Sequence, residues 1–133
     1  MARAGRVTSI LDAWAAVAFR QGEPAAPRVR SALVAGAAIS DINLGEALYI
    51  LARRQGGEAA ISAVRELRGT LASEAPDWDL TRNAAMIKAT GKLSYADAFA
   101  VATAQRHSAP LLTGDPEIIA LNDSVEVVDL RKE

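Results

Sequence analysis

Lys92-Leu93-Ser94-Tyr95-Ala96-Asp97-Ala98-Phe99, continuing to Pro110-Leu111-Leu112-Thr113-Gly114-Asp115-Pro116-Glu117, decides how the rest of the chain is read. Ser94 and Asp97 match the capping box [ST]-x-x-[DE], with Ser94 as N-cap and Asp97 as the third helical residue. Ala98, Val101, Ala102 and Gln105 follow at helical spacing. Leu111 and Leu112 read as a buried strand ending at Thr113-Gly114. Asp115-Pro116 then reads as an N-cap followed by proline at the first helical position. Two carboxylates therefore stand at helix N-termini, one of them just beyond a strand. In a parallel α/β sheet, that edge is where ligands bind.

Working outward, Val7 to Leu11 predicts a first buried strand, and Asp12 stands where it passes into the helix former run Ala13–Phe19. Asp12 is either an N-cap or a strand-end carboxylate aimed into a crevice. Gly22-Glu23-Pro24 closes that helix, and Pro27 opens a second one reaching Gly36. Ala37, Ala38 and Ile39 allow a short second strand. Ser40 or Asp41 caps a longer helix to about Arg54, which Gly56-Gly57 ends. On it Ile42, Glu46, Tyr49 and Ile50 share a stripe, with Asn43 three residues before Glu46. A buried carboxylate without a partner is costly, and the apolar neighbours favour a buried polar site for Glu46 over a place on the stripe's edge.

The next helix is expected from Glu58 to Leu71, with Ile61, Val64 and Leu67 inward and Glu58 and Glu66 solvated. Residues 75–79 offer a short edge strand around Trp78, before Asp79 or Thr81 caps a helix to Ala89. Val125 to Leu130 predicts a last strand. Strands alternating with helices spell a single α/β domain with a mostly parallel sheet.

The 133-residue chain is long enough for one buried core, and half of it is hydrophobic. It has no cysteine, which excludes disulfides and thiolate metal sites. Its net charge of −1 is wrong for an indiscriminate nucleic-acid binder, so phosphate would need a local patch or metal ions. Arg3 and Arg6 precede an apolar run, but Asp12 interrupts it and no small-residue cleavage site follows. No apolar segment approaches the ~20 residues of a membrane span. The expected location is cytoplasmic.

Capping explains Asp12, Asp97 and Asp115 singly. Parallel topology, however, brings the carboxyl ends of the first and late strands to one edge, and the helix beginning near Ser94 feeds the late strand; four carboxylates at one crevice, Glu46 among them, would have to be protonated or neutralised. Oxygen ligands without His or Cys suit a hard cation, Mg²⁺ or Mn²⁺. His107, the sole histidine, sits near a helix C-terminus, where positive charge is favourable. Trp14 and Trp78 read as core or interface, and Arg53, Arg54, Lys88 and Lys92 as solvated positions.

The pieces Ser9-Ile10-Leu11-Asp12-Ala13, Ser40-Asp41-Ile42-Asn43-Leu44-Gly45-Glu46, Leu93-Ser94-Tyr95-Ala96-Asp97-Ala98 and Leu112-Thr113-Gly114-Asp115-Pro116-Glu117 together resemble the PIN-domain family, specifically its VapC-type toxins. The resemblance implies a three-layer sandwich whose mostly parallel sheet of about five strands is flanked by helices, with residues 75–79 as the third strand, in one domain over 1–133. It implies a metal-dependent endoribonuclease using Mg²⁺ or Mn²⁺, homodimeric and held inactive by a cognate antitoxin. The acidic site maps onto Asp12, Glu46, Asp97 and Asp115, as catalytic residues and metal ligands. Asn43, Ser94, Thr113 and Glu117 are possible helpers. The alternative is a PIN-like module that has lost activity and sequesters a protein or RNA partner. A phosphoacceptor receiver domain is set aside, because Asp12 lacks an acidic neighbour and no lysine follows Leu112.

Overall fold

A computed structural model describes residues 6–121 and 124–132. Five strands form one parallel sheet: β1 (Ser9–Leu11), β2 (Ala37–Ser40), β3 (Ala72–Glu74), β4 (Leu111–Thr113) and β5 (Val127–Asp129), in the order β3-β2-β1-β4-β5. Their connections carry α1 (Ala13–Arg20), α2 (Ala26–Ala35), α3 (Asp41–Gln55), α4 (Gly57–Arg68), α5 (Trp78–Thr90), α6 (Tyr95–His107) and α7 (Pro116–Ile119).

Alternation along the strands makes the three layers. Leu11, Ile39 and Leu112 point to one face, into a core shared with α1 to α4. Ile10, Ala38 and Leu111 point to the other, against α6 and α7. Period-2 patterning of that kind, buried on both faces, is what a parallel sheet covered by helices requires. The helix α6 is buried almost all round from Asp97 to Ala104, because it lies between the sheet and α5, with Leu80, Ala84, Ala98, Phe99 and Ala102 filling the helix–helix seam. Its alanines let the backbones approach closely. Gly36 ends α2 at φ +117°, and a side chain there would run into the Arg6 carbonyl. Among the described residues no helix is long and apolar enough to cross a membrane.

Several local expectations need correction. The third strand is Ala72–Glu74 and not residues 75–79. Asp77, rather than Asp79 or Thr81, is the N-cap of α5, its Oδ1 accepting from the Leu80 N–H at 2.8 Å, so Trp78 is already helical. Trp78 is 71 % exposed, which rules out the core. The helix α4 stops at Arg68, and Ile61 faces outward at 49 % exposure, leaving Val64 and Leu67 with Ala60 and Ala63 as its buried face. On α3 the inward face is Asn43, Leu44, Ala47 and Leu51. Ile42 and Tyr49 are exposed, so the Ile42–Glu46–Tyr49–Ile50 stripe is not a buried one, and Glu46 sits half-buried at its edge.

Candidate active site

Register brings the first two acids' neighbourhoods together. β1 and β4 pair with Leu11 opposite Leu112, so the residues just beyond them, Asp12 and Thr113, meet at the carboxyl edge of the sheet. Asp12 is extended (φ −98°, ψ −177°) and caps α1, its Oδ1 accepting from the Ala15 N–H at 2.9 Å. Its Oδ2 accepts a short hydrogen bond from the Thr113 hydroxyl. That hydroxyl accepts in turn from the Asp115 N–H at 2.9 Å, and Asp115 Oδ1 caps α7 through the Glu117 N–H at 2.9 Å. Asp12 is therefore both of the things its position allowed, an N-cap and a buried strand-end carboxylate.

The other side of the crevice comes from α3 and α6. Ser94 caps α6 by accepting from the Asp97 N–H at 3.1 Å, which starts the helix and places Asp97 on its third residue, 9 % exposed. Ser40 caps α3, accepting from Ile42 N–H at 3.2 Å. Asn43, fully buried, donates through Nδ2 to the Ala96 carbonyl at 2.8 Å and thereby ties α3 to the first turn of α6. Because a carbonyl oxygen can only accept, the amide nitrogen faces it, and Asn43 Oδ1 is left as a buried acceptor without a partner.

Electrostatics gathers all four acids into one field. The Asp12 carboxyl is pushed up to about 7, first by burial and further by the charges of Asp115 and Glu46, against the opposing hydrogen bonds from Thr113 and Ala15. Asp97 is also raised to about 7, by burial first, then by the charge of Asp115 and direct contact with its carboxyl, then by Glu46. Glu46 is raised by burial and by Asp115, with the Asn43 side chain opposing. Asp115 is the neighbour common to all three.

Among the described residues, no three Asp, Glu, His or Cys side chains converge closely enough to enclose an ion as they stand. Both oxygens of Asp12 are held by donors within the protein, while the Asp97 and Asp115 carboxyls touch each other. The group still fits a hard cation. Its donors are all oxygen, burial pushes two of its acids, Asp12 and Asp97, up to about 7, and an unpartnered amide oxygen stands one turn before Glu46.

Of the possible helpers, Thr113 is at the centre of the network, Asn43 bridges two acid-bearing helices, Ser94 acts on Asp97 through its backbone, and Glu117 is exposed, bound only through its N–H. His107 lies ten residues beyond Asp97 on α6, roughly 15 Å along the helix axis, and pairs with Glu74 at 2.9 Å. Lys88 and Lys92 are exposed, as expected, and Arg53 stacks on Tyr49 at 5.0 Å. One residue escaped the sequence reading. Trp14, read only as core or interface, packs against Gly114 in the turn that carries Asp115; the glycine between Thr113 and Asp115 was its one signal.

Known proteins share this fold. The fold is similar to that of VapC20 from Mycobacterium tuberculosis, a sarcin–ricin-loop-cleaving toxin, with a TM-score of 0.70 at 20 % identity over 86 % of this chain and 95 % of that one. It is similar to a chain of DNA-bound VapBC from Salmonella typhimurium (TM-score 0.77, 14 % identity, 94 % and 99 % covered). A toxin–antitoxin complex from Klebsiella pneumoniae gives 0.73 at 21 % identity, with 92 % and 98 % covered. No curated protein matches the chain by sequence. The PIN domain family model matches residues 9–123, a span that opens at β1 and takes in all four acids, and the chain belongs to the PIN domain family.

Proposed function

We propose that this protein is a VapC-type toxin, a divalent-cation-dependent endoribonuclease acting as one domain in the cytoplasm, homodimeric and restrained by a cognate antitoxin. The observation that carries the reading is the shared field of Asp12, Glu46, Asp97 and Asp115 at the carboxyl edge of β1 and β4. The similarity to a toxin that cleaves RNA and to toxin–antitoxin complexes supports the substrate class and the partner.

In this reading Asp12, Asp97, Asp115 and Glu46 would hold Mg²⁺ or Mn²⁺, which would supply an activated water and neutralise charge on the phosphate. The protein's own part is preorganisation. Thr113 orients Asp12 and fixes the turn that carries Asp115. Asn43 holds the Glu46 helix against the helix that carries Asp97. Burial raises the cost of the anionic acids, so the site favours whatever brings positive charge to it.

Glu46 is the acid whose sequence argument was weakest, so it is the sharpest test. Glu46→Gln keeps the shape and removes the charge, and removing one such preorganised group costs about 3 kcal/mol of transition-state stabilisation. RNA cleavage at saturating Mn²⁺ should fall by about a hundredfold with the fold intact by circular dichroism. Exposed Glu66→Gln is the matched control. Cleavage by Glu46→Gln within twofold of the parent excludes Glu46 from the site.

A further inference from the structure

We propose that Trp14 is a positioning residue: its indole is the template on which the Thr113-Gly114-Asp115 turn is laid, so that Asp115 is held in register with Asp12. The consequence for cation binding rests on the function proposed above; the positioning itself does not.

Gly114 is buried, and a Cβ placed on it would overlap Cε2 and Cζ2 of Trp14 and lie 2.5 Å from Cδ2. The indole thus lies against the backbone of residue 114 in the space any side chain would take. The backbone itself does not demand glycine there: positive φ among the glycines is confined to Gly22, Gly36 and Gly56. What demands it is the ring, which supplies all three of the nearest atoms. Gly45 and Gly57, by contrast, have open space where a Cβ would go.

The location gives this contact its leverage. Trp14 is the second residue of α1, and Asp12 is the N-cap of the same helix, so one helix start fixes both the acid and the ring. The turn across from it is anchored at its two ends, by the Leu130 N–H on the Thr113 carbonyl at 2.8 Å and by the fully buried Ile118 of α7. Its helix, α7, is four residues long and contributes little stiffness of its own. Thr113 links to Asp12 at one end of the turn, and Asp115 caps α7 at the other. Between those ends the indole lies against the backbone of Gly114. A residue with a side chain at 114 must displace the ring or lift the turn, and lifting the turn moves Asp115 away from Asp97 and Asp12.

The test is a double-mutant comparison of the parent, Gly114→Ala, Trp14→Ala and the double variant, with Gly57→Ala as the control for an added methyl. Two quantities are read. One is the exchange rate of the Asp115 N–H, bonded to Thr113 Oγ1 at 2.9 Å, in EDTA by NMR; the other is Mn²⁺ affinity by calorimetry. Gly114→Ala should speed exchange at least tenfold and weaken Mn²⁺ at least tenfold. In the Trp14→Ala background the same substitution should change either by less than twofold, because the ring it collides with is gone. Gly57→Ala should move neither. A folded Gly114→Ala protein within twofold of the parent on both readings, or one whose effect is the same in both backgrounds, overturns the proposal. If Gly114→Ala does not fold, Trp14→Phe replaces it: the smaller ring should speed Asp115 exchange at least threefold, and an unchanged rate overturns the proposal. A parent protein that binds no Mn²⁺ contradicts the cation reading, while amide exchange still decides whether Trp14 holds the turn.

Discussion

The Thr113 hydroxyl donates to the Asp12 carboxylate across 101 positions of sequence, and through it the ends of two neighbouring strands are locked together. The same oxygen accepts from the Asp115 N–H, so one hydroxyl serves two acids. Thr113→Val keeps the shape and removes both bonds. It leaves a buried carboxylate oxygen and an amide without their partner, a loss of about 1–3 kcal/mol for each buried group so stranded. Urea denaturation should show a loss in that range for Thr113→Val and a much smaller one for Thr113→Ser. Equal losses for the two would remove the hydroxyl from the account.

The acids set a pH dependence whose sign follows from their shifts. Burial pushes the Asp12 and Asp97 carboxyls up to about 7 in the folded protein, from an ordinary value of 3.8. Between those limits the folded state keeps protons that the unfolded state has released, so stability is greatest at the acid end and falls as pH rises through about 7. Without divalent cations the protein should melt at a lower temperature at pH 8 than at pH 5.5. Mn²⁺ should remove most of that difference, because a bound cation takes the place of the protons. A metal-free melting temperature that rises from pH 5.5 to 8 contradicts the raised acids.

Asn43 joins the two acid-bearing helices, and its replacement should be felt in the same pH window. Asn43→Asp exchanges the donor to the Ala96 carbonyl for an acceptor and adds a carboxyl beside Glu46. The metal-free variant should lose more stability at pH 8 than at pH 5.5, whereas Asn43→Ala should lose a similar amount at both. Melting curves at the two pH values separate these outcomes.

The start of α5 offers a check on the fold away from the acids. Asp77 caps the helix and its Oδ1 also meets Arg106 at 2.7 Å, while Asp79 is exposed in the first turn. Asp77→Ala should cost about 1 kcal/mol, the usual value of a lost N-cap. Asp79→Ala should stay within about 0.5 kcal/mol of the parent. The reverse ranking would return the helix start to Asp79.

These residues also mark where the sequence was readable. Ser94, Asp97, Asp115 and Pro116 are local signals: a cap acts on a backbone N–H two or three positions away, so their roles survive folding unchanged. The buried leucines and isoleucines of β1, β2 and β4 were legible for a similar reason. β3 was not. Ala72-Ser73-Glu74 has little strand preference of its own and is a strand because β2 offers it a ladder, Ala38 opposite Ala72 and Ser40 opposite Glu74. Glu46 reached the site by a different route from the one its neighbours implied. Ile42 and Tyr49 look like a buried stripe but are exposed, whereas the face that packs inward includes the amide Asn43 and small Ala47. Tertiary contacts with α6 decided that face, and helical spacing cannot see them.

The central claim is that one cluster of carboxylates, loaded with a divalent cation, cuts RNA, and Asp97 tests it most directly because burial and Asp115 both act on it. The measurement is the initial rate of RNA cleavage by purified, partner-free protein, parent and Asp97→Asn, in Mn²⁺ and in EDTA. The account predicts cleavage by the parent in Mn²⁺ alone, a fall of at least a hundredfold in Asp97→Asn, and a metal-free variant at least as stable as the metal-free parent at pH 8. Cleavage that persists in EDTA, or in Asp97→Asn within twofold of the parent, would contradict it.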